Sequence, residues 1–329
     1  MTRATLGGPM AASPPPQART TTNAAPAGAL PRPPAADLAL LGLAVVAVST
    51  SAPLVRVADA PTLAIAFWRN ALALPVLVLM VAAAARRGPV RLDPAERRLC
   101  VVAGLFLGAH FATWIPSLSY TSVASSVALV ATQPVWAALI ARRRGEHVPR
   151  RAWWGIAVAL AGTVVLTGVD LSVSPRALFG DLLALVGGVL AAAYVTVGAE
   201  VRRTVSTAVY ATVCYAVAAA ALLVVCGVGG QALAGYDGGT WLALVAMVAG
   251  PQLLGHTLVN RVLRTTSPTV VSVAILFEIV GSAVLAWIAF DEVPPASAVP
   301  AAALIATGVV LVVRASPEEP AVSGPPAME

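Results

Sequence analysis

Gln133-Pro134-Val135-Trp136-Ala137-Ala138-Leu139-Ile140-Ala141-Arg142-Arg143-Arg144-Gly145-Glu146 decides the fold once it is laid over the later stretch that runs from Glu278 to Phe290-Asp291-Glu292. Each begins at a polar residue inside an apolar run and ends at a short connection. The first connection carries three arginines and the second two carboxylates. Positive charge flanking apolar helices stays on the cytoplasmic side of a membrane, so the two stretches leave by opposite faces.

Working outward from this pair, the same unit occurs twice, roughly 145 residues apart. Asp37-Leu38-Ala39-Leu40-Leu41 lies over Asp181-Leu182-Leu183-Ala184-Leu185, Thr121-Ser122 over Thr266-Ser267, Gln133 over Glu278, and Gly162 over Gly308. Apolar runs at 37–57, 61–85, 99–118, 122–141 and 152–169 are followed by five more at 179–199, 205–228, 240–260, 267–290 and 296–313. Each is about 20 residues, enough at about 1.5 Å per residue for a helix to cross a hydrocarbon core about 30 Å thick. The expected fold is an all-α integral membrane protein with ten transmembrane helices arranged as two inverted five-helix repeats, 37–169 and 177–314. Because five is odd, the second repeat enters from the opposite face.

Arginine placement agrees with this topology. With the N-terminus inside, the inner connections hold Arg86, Arg87, Arg91, Arg97 and Arg98, then Arg142, Arg143, Arg144, Arg150 and Arg151, then Arg202 and Arg203, then Arg261 and Arg264, with Arg314 closing the last helix. The outer loops hold only Arg56 and Arg176, beside Asp59, Asp170, Asp237, Asp291 and Glu292. The expected location is the cell membrane, multi-pass, with both termini cytoplasmic. Residues 1–36, rich in Pro, Ala and Thr, and 315–329 are expected to be disordered cytoplasmic tails. The first lacks the apolar core of a signal peptide.

Of 329 residues, 58% are hydrophobic and 11% charged, too few charges to solvate a globular surface. The net charge of +6 does not indicate nucleic acid, because the arginines lie in short inner loops rather than on one amphipathic face. All 21 basic residues are arginine, which removes the lysine of a nucleotide-binding P-loop, Schiff-base chemistry and any Ser-Lys dyad. No nucleotide partner and no cofactor are therefore expected. Cys100, Cys214 and Cys226 lie inside spans with no CxxC spacing, so neither a disulfide nor a metal site is expected. HExxH, GxSxG and paired membrane aspartates are all missing from the sequence, which argues against an intramembrane enzyme.

The order and spacing of several short motifs resemble the drug/metabolite transporter superfamily, in its ten-helix EamA-type branch with two EamA repeats. They are Phe67-Trp68-Arg69-Asn70, the hairpin from His110 through Trp114-Ile115-Pro116 to Tyr120-Thr121, Gln133-Pro134-Val135-Trp136, Gly145-Glu146, and Gly155 with Ala161-Gly162-Thr163. The second copy departs from the pattern, with Phe277-Glu278-Ile279 where the family usually has a Glu-Pro pair and Asp291-Glu292 in place of Gly-Glu. The resemblance implies a secondary active transporter of a small organic solute, such as a metabolite, an amino acid or a drug-like compound. Export by alternating access through a cavity between the halves is the implied mode. A flippase for a lipid-linked metabolite is the alternative. The partners are the small-molecule substrate and membrane lipid, and the oligomeric state is left open.

A charge near the bilayer centre costs about 2.5–3.5 kcal/mol on insertion scales, so it normally faces the bundle interior. Glu278 lies between Ser267 and Asp291, near mid-membrane, and Gln133 is its repeat counterpart. A carboxyl group withdrawn from water is a candidate proton carrier; a structural ion pair is the alternative for Glu278. Arg69 can hold a substrate carboxylate, neutralise Glu278 or snorkel to the outer headgroups. His110 is central and can act as a proton switch or as a packing residue. Tyr194, Trp114 and Trp136 are candidate cavity walls, and Gln252 is a further cavity candidate. His256, four residues beyond Gln252 and close to Arg261, reads as interfacial. Ser122, Ser125, Ser126 and Thr132, with Gly104 and Gly108, read as helix-packing positions.

Overall fold

In a computed structural model, residues 33–86, 91–121, 123–167, 174–291, 293 and 296–315 are described. Both expected tails fall almost wholly outside them, as do Arg87, Ser122, Asp170, Glu292 and the side chain of Ser125. All regular structure among the described residues is helical. Eight helical stretches are long and apolar enough to cross a membrane: Ala35–Val57, Thr62–Ala85, Pro94–Ser117, Pro175–Val201, Thr207–Val228, Gly238–Val262, Pro268–Ala289 and Ala298–Ala315. The chain is a multi-pass helical membrane protein. Two of the ten expected spans fall outside that set. One is broken at Ala131-Thr132, and the other begins on Arg150-Arg151.

Several spans are discontinuous. The first is α1 (Ala35–Ser49) and α2 (Ser51–Val57), and the second is α3 (Thr62–Ala71) and α4 (Leu74–Ala85). Helix α5 (Pro94–Ser117) starts with a capping box in which Asp93 accepts from the Glu96 amide and Glu96 from the Asp93 amide. Then come α6 (Val123–Val130), α7 (Gln133–Arg143) and α8 (Arg150–Thr167). The second half begins with the continuous helices α9 (Pro175–Val201) and α10 (Thr207–Val228), each capped by a serine, Ser174 and Ser206. It continues with α11 (Gly238–Met247), a π-helical stretch over Val248–His256 containing Pro251, and α12 (Thr257–Val262). The chain closes with α13 (Pro268–Ile275), α14 (Phe277–Phe290) and α15 (Ala298–Ala315).

Helix α5 packs along α9 and α10, α10 also covers α3 and α4, α1 lies against the π-helical stretch and α14, α7 meets α13, and α8 pairs with α15. Lipid is as apolar as leucine, so such contacts depend on close fit rather than on removal from water. At the α8–α15 contact a methyl placed on Gly155 would meet the Gly308 carbonyl oxygen at 2.8 Å, and one on Gly162 would meet the Ala301 carbonyl oxygen at the same distance. Gly104 and Gly108 abut Cys214 and Ala218 of α10 in the same way, as their spacing predicts.

Polar contacts collect at the two ends of the bundle. At one end Thr265 donates to Asp37, Thr204 donates to Glu96 at 2.7 Å, and Arg144 pairs with Glu200 at 2.6 Å. At the other, the Asp59 amide reaches Thr240, the Trp68 indole reaches the Leu233 carbonyl, Thr121 donates to Asp181, and Arg176 reaches the Ser119 carbonyl.

Candidate functional site

Between these ends lies a cavity of about 580 Å³ walled by both halves of the chain. Six of the eight candidates line it: Glu278, Gln133, Arg69, His110, Tyr194 and Trp114. Helix breaks place two of them. Helix α7 restarts after Thr132 with Gln133 as its first residue, and α14 restarts after Leu276 with Glu278 as its second. The first turn of a helix has amides without intrahelical partners and the positive end of the dipole, which favours a carboxylate there. Pro134 accounts for the first break, since it cannot donate to a preceding turn. The second occurs without proline: Ile279 stands at the matching position and its amide bonds back to Leu276 in a tighter turn.

Arg69, 1% exposed, is held on three sides. Its Nε donates to Gln252 Oε1 at 3.0 Å, its Nη1 reaches Ser51 Oγ at 3.4 Å, and its guanidinium lies 4.2 Å over the Phe111 ring. Gln252 in turn donates to Asn70 Oδ1 at 3.1 Å. Arg69 therefore does not snorkel to the headgroups. It interacts electrostatically with Glu278 within the same cavity, while Glu278 itself, half-buried, makes no direct hydrogen bond or ion pair with the described residues.

Gln133 donates to Ser272 Oγ at 2.9 Å and so ties α7 to α13. His110 Nδ1 lies 2.9 Å from the Gly187 carbonyl, which makes that nitrogen the protonated donor, and its ring stacks on Trp114. The Trp114 indole nitrogen is buried in the wall with no partner among the described residues. Tyr194 donates to Asn260 Oδ1 at 2.6 Å. Trp136 and Gln252 stand outside the cavity wall. Trp136 donates to Thr132, the residue just before its own helix, and Gln252 supports Arg69 from behind.

His256 differs from expectation, because it lines the cavity with its ring edge-on to Phe111, 5.7 Å away. The π-helical stretch that ends at His256 changes the direction in which its side chain leaves the helix, and a count of residues from Arg261 contains no sign of it. Ser51, Phe111, Ser272 and Asn260 were not singled out from the sequence. For Ser51 a signal existed in Ser49-Thr50-Ser51, a polar triplet followed by Pro53 inside an apolar span.

Residues 35–168 and 178–314 each match the EamA-like transporter family. The chain belongs to that family. A protein of Archaeoglobus fulgidus named as an uncharacterized transporter is 31% identical over 139 residues, which is 41% of this chain. The chain spans 47% of that relative's length. A solved crystal structure of a protein superposes on 85% of this chain and 97% of its own with a TM-score of 0.72 at 23% identity, a likeness of fold. Family and relative alike are named for transport.

Proposed function

We propose that this protein is a secondary active carrier that exports a small organic solute through the central cavity by alternating access, with Glu278 carrying the coupled proton. Ten helices form two inverted repeats, 37–169 and 177–314, set in the cell membrane with both termini cytoplasmic. The packing supports the repeat, since contacts come in mates. Helix α5 lies on α9 as the π-helical stretch lies on α1, and α7 lies on α9 as α14 lies on α1. Helix α8 meets α15, its counterpart in the other repeat, as elements related by a two-fold axis in the membrane plane would. Gly145 after α7 and Asp291 after α14 both adopt left-handed backbone, with φ of 82° and 55°.

The observation that carries the reading is Glu278, a carboxyl group at a helix break, facing the cavity and without a direct partner among the described residues. A structural ion pair would hold it; a proton carrier must be free to exchange. Arg69 is already occupied by Gln252, Ser51 and Phe111 and supplies fixed positive charge. The Trp114 indole offers a donor to an acceptor group on the solute, and the aromatic faces of Phe111, His110 and Tyr194 offer apolar surface.

The experiment uses purified protein in vesicles with an imposed pH gradient, after a thermal-shift screen of metabolites has identified a transported solute. Glu278→Gln is expected to abolish gradient-driven accumulation. Unchanged rate and unchanged pH dependence would contradict the coupling role.

A further inference from the structure

A second pocket, of about 300 Å³, opens at the end of the bundle that holds the Arg144–Glu200 pair, well away from the central cavity. Arg202, Arg203, Arg261 and Arg264 line it together with Ser206 and Thr207. Arg202 is 4% exposed and fixed in place. Its Nε donates to the Asn260 carbonyl at 2.8 Å and its Nη2 donates to Thr207 Oγ1 at 2.6 Å. Burial, and after it the charges of Arg264 and Arg261, hold its pKa below the usual arginine value.

Four guanidinium groups around one pocket repel one another unless an anion lies among them. No carboxylate does so within the described residues, because none of the four makes an ion pair there. The nearby acids are already engaged. Glu200 is paired with Arg144, Glu96 accepts from Thr204 and caps α5, and Asp37 accepts from Thr265. The pocket also receives the start of α10, a 22-residue helix capped by Ser206, whose first amides lack intrahelical acceptors. Position adds the last constraint: the pocket sits just where the apolar stretches Pro175–Val201 and Gly238–Val262 end and Thr207–Val228 begins. That is the depth of lipid phosphates.

We infer that the Arg202–Arg203–Arg261–Arg264 pocket is a binding site for a phosphate oxyanion, with the headgroup of an anionic phospholipid as its source. Arginine forks match phosphate oxygens in geometry. Arg202 forms a preorganised floor, and the exposed Arg203, Arg261 and Arg264 close over the ligand from the rim. By bridging the α9–α10 and α12–α13 connections, an occupant restrains two segments of the second half at once.

The test is thermal unfolding of the full chain in detergent at constant ionic strength. It is titrated in parallel with dioctanoyl phosphatidylglycerol, zwitterionic dioctanoyl phosphatidylcholine and inorganic phosphate. Phosphatidylglycerol is expected to raise Tm saturably, and phosphatidylcholine is not. Arg261→Gln/Arg264→Gln, a change of two exposed side chains, should need at least tenfold more phosphatidylglycerol for the same shift. The control Arg142→Gln/Arg143→Gln removes equal charge outside the pocket and should titrate like the parent. Saturation by inorganic phosphate, with phosphatidylglycerol adding nothing, keeps the site and assigns it to free phosphate. The inference is overturned if phosphatidylglycerol and inorganic phosphate do no more than phosphatidylcholine. It is also overturned if the pocket variant and the control weaken the response equally.

Discussion

Arg69 and Gln252 are 183 positions apart in sequence and joined by a 3.0 Å hydrogen bond in the interior, which fastens the second span to the π-helical stretch. Gln252 serves both sides, accepting from Arg69 and donating to Asn70. A buried charge beside the central cavity needs such fixed acceptors, because the solvation it loses on burial must be replaced.

Replacing Gln252 with leucine leaves Arg69 Nε and Asn70 Oδ1 without partners. The cost is expected to be about 2–4 kcal/mol, read as a lowered midpoint of unfolding in detergent. Arg69→Lys should fail to restore the link, since an ammonium lacks the planar fork that spans Gln252 and Ser51 while stacking on Phe111.

Close contact between α8 and α15 leads to a paired expectation at two glycines. In Gly308→Ala the new methyl would approach the Ala159 β-carbon at 2.6 Å, and the helices must separate, at about 1–3 kcal/mol. Gly42→Ala on α1 meets nothing within 4 Å and should raise stability by about 0.5–1 kcal/mol through helix propensity alone. Thermal unfolding of the two variants should therefore move in opposite directions.

Asp237 caps α11 by accepting from the Thr240 amide at 2.8 Å, and bonding to Thr240 lowers its pKa from the usual carboxylate value. A depressed folded-state pKa means that the stabilisation is complete above the unfolded value of about 3.9 and is lost as pH falls through the lower folded one. Wild-type protein should exceed Asp237→Asn in thermal stability at neutral pH. That difference should shrink as pH falls below the usual carboxylate range, where the cap becomes protonated in the folded state as well.

Much of this architecture was legible because it depends on charge in an apolar background. Glu278, Gln133 and Arg69 stand out as polar residues deep inside apolar runs, and all three line the cavity. What remained hidden depends on backbone geometry or on partners far away in sequence. Asn260 lies beside Arg261 at the end of an apolar run, where nothing in the sequence marks it, yet its side chain accepts from Tyr194 and its carbonyl accepts from Arg202. His256 turns inward at the end of a π-helical stretch that leaves no periodic signature. The break before Phe277 has no proline to announce it, and Trp136, aromatic and near Gln133, folds back on Thr132 instead of facing the cavity.

Alternating access through the central cavity is tested most directly by a single reporter on its wall. Ile279 lines the cavity one residue from Glu278, and the three native cysteines are fully buried, so Ile279→Cys presents one reactive thiol. With membrane-impermeant thiol reagents applied to sealed vesicles, first from one side and then from the other, the carrier account predicts modification from both faces. Each should be blocked by a transported solute. Modification from one face only, under every gradient and with every solute applied, would contradict it.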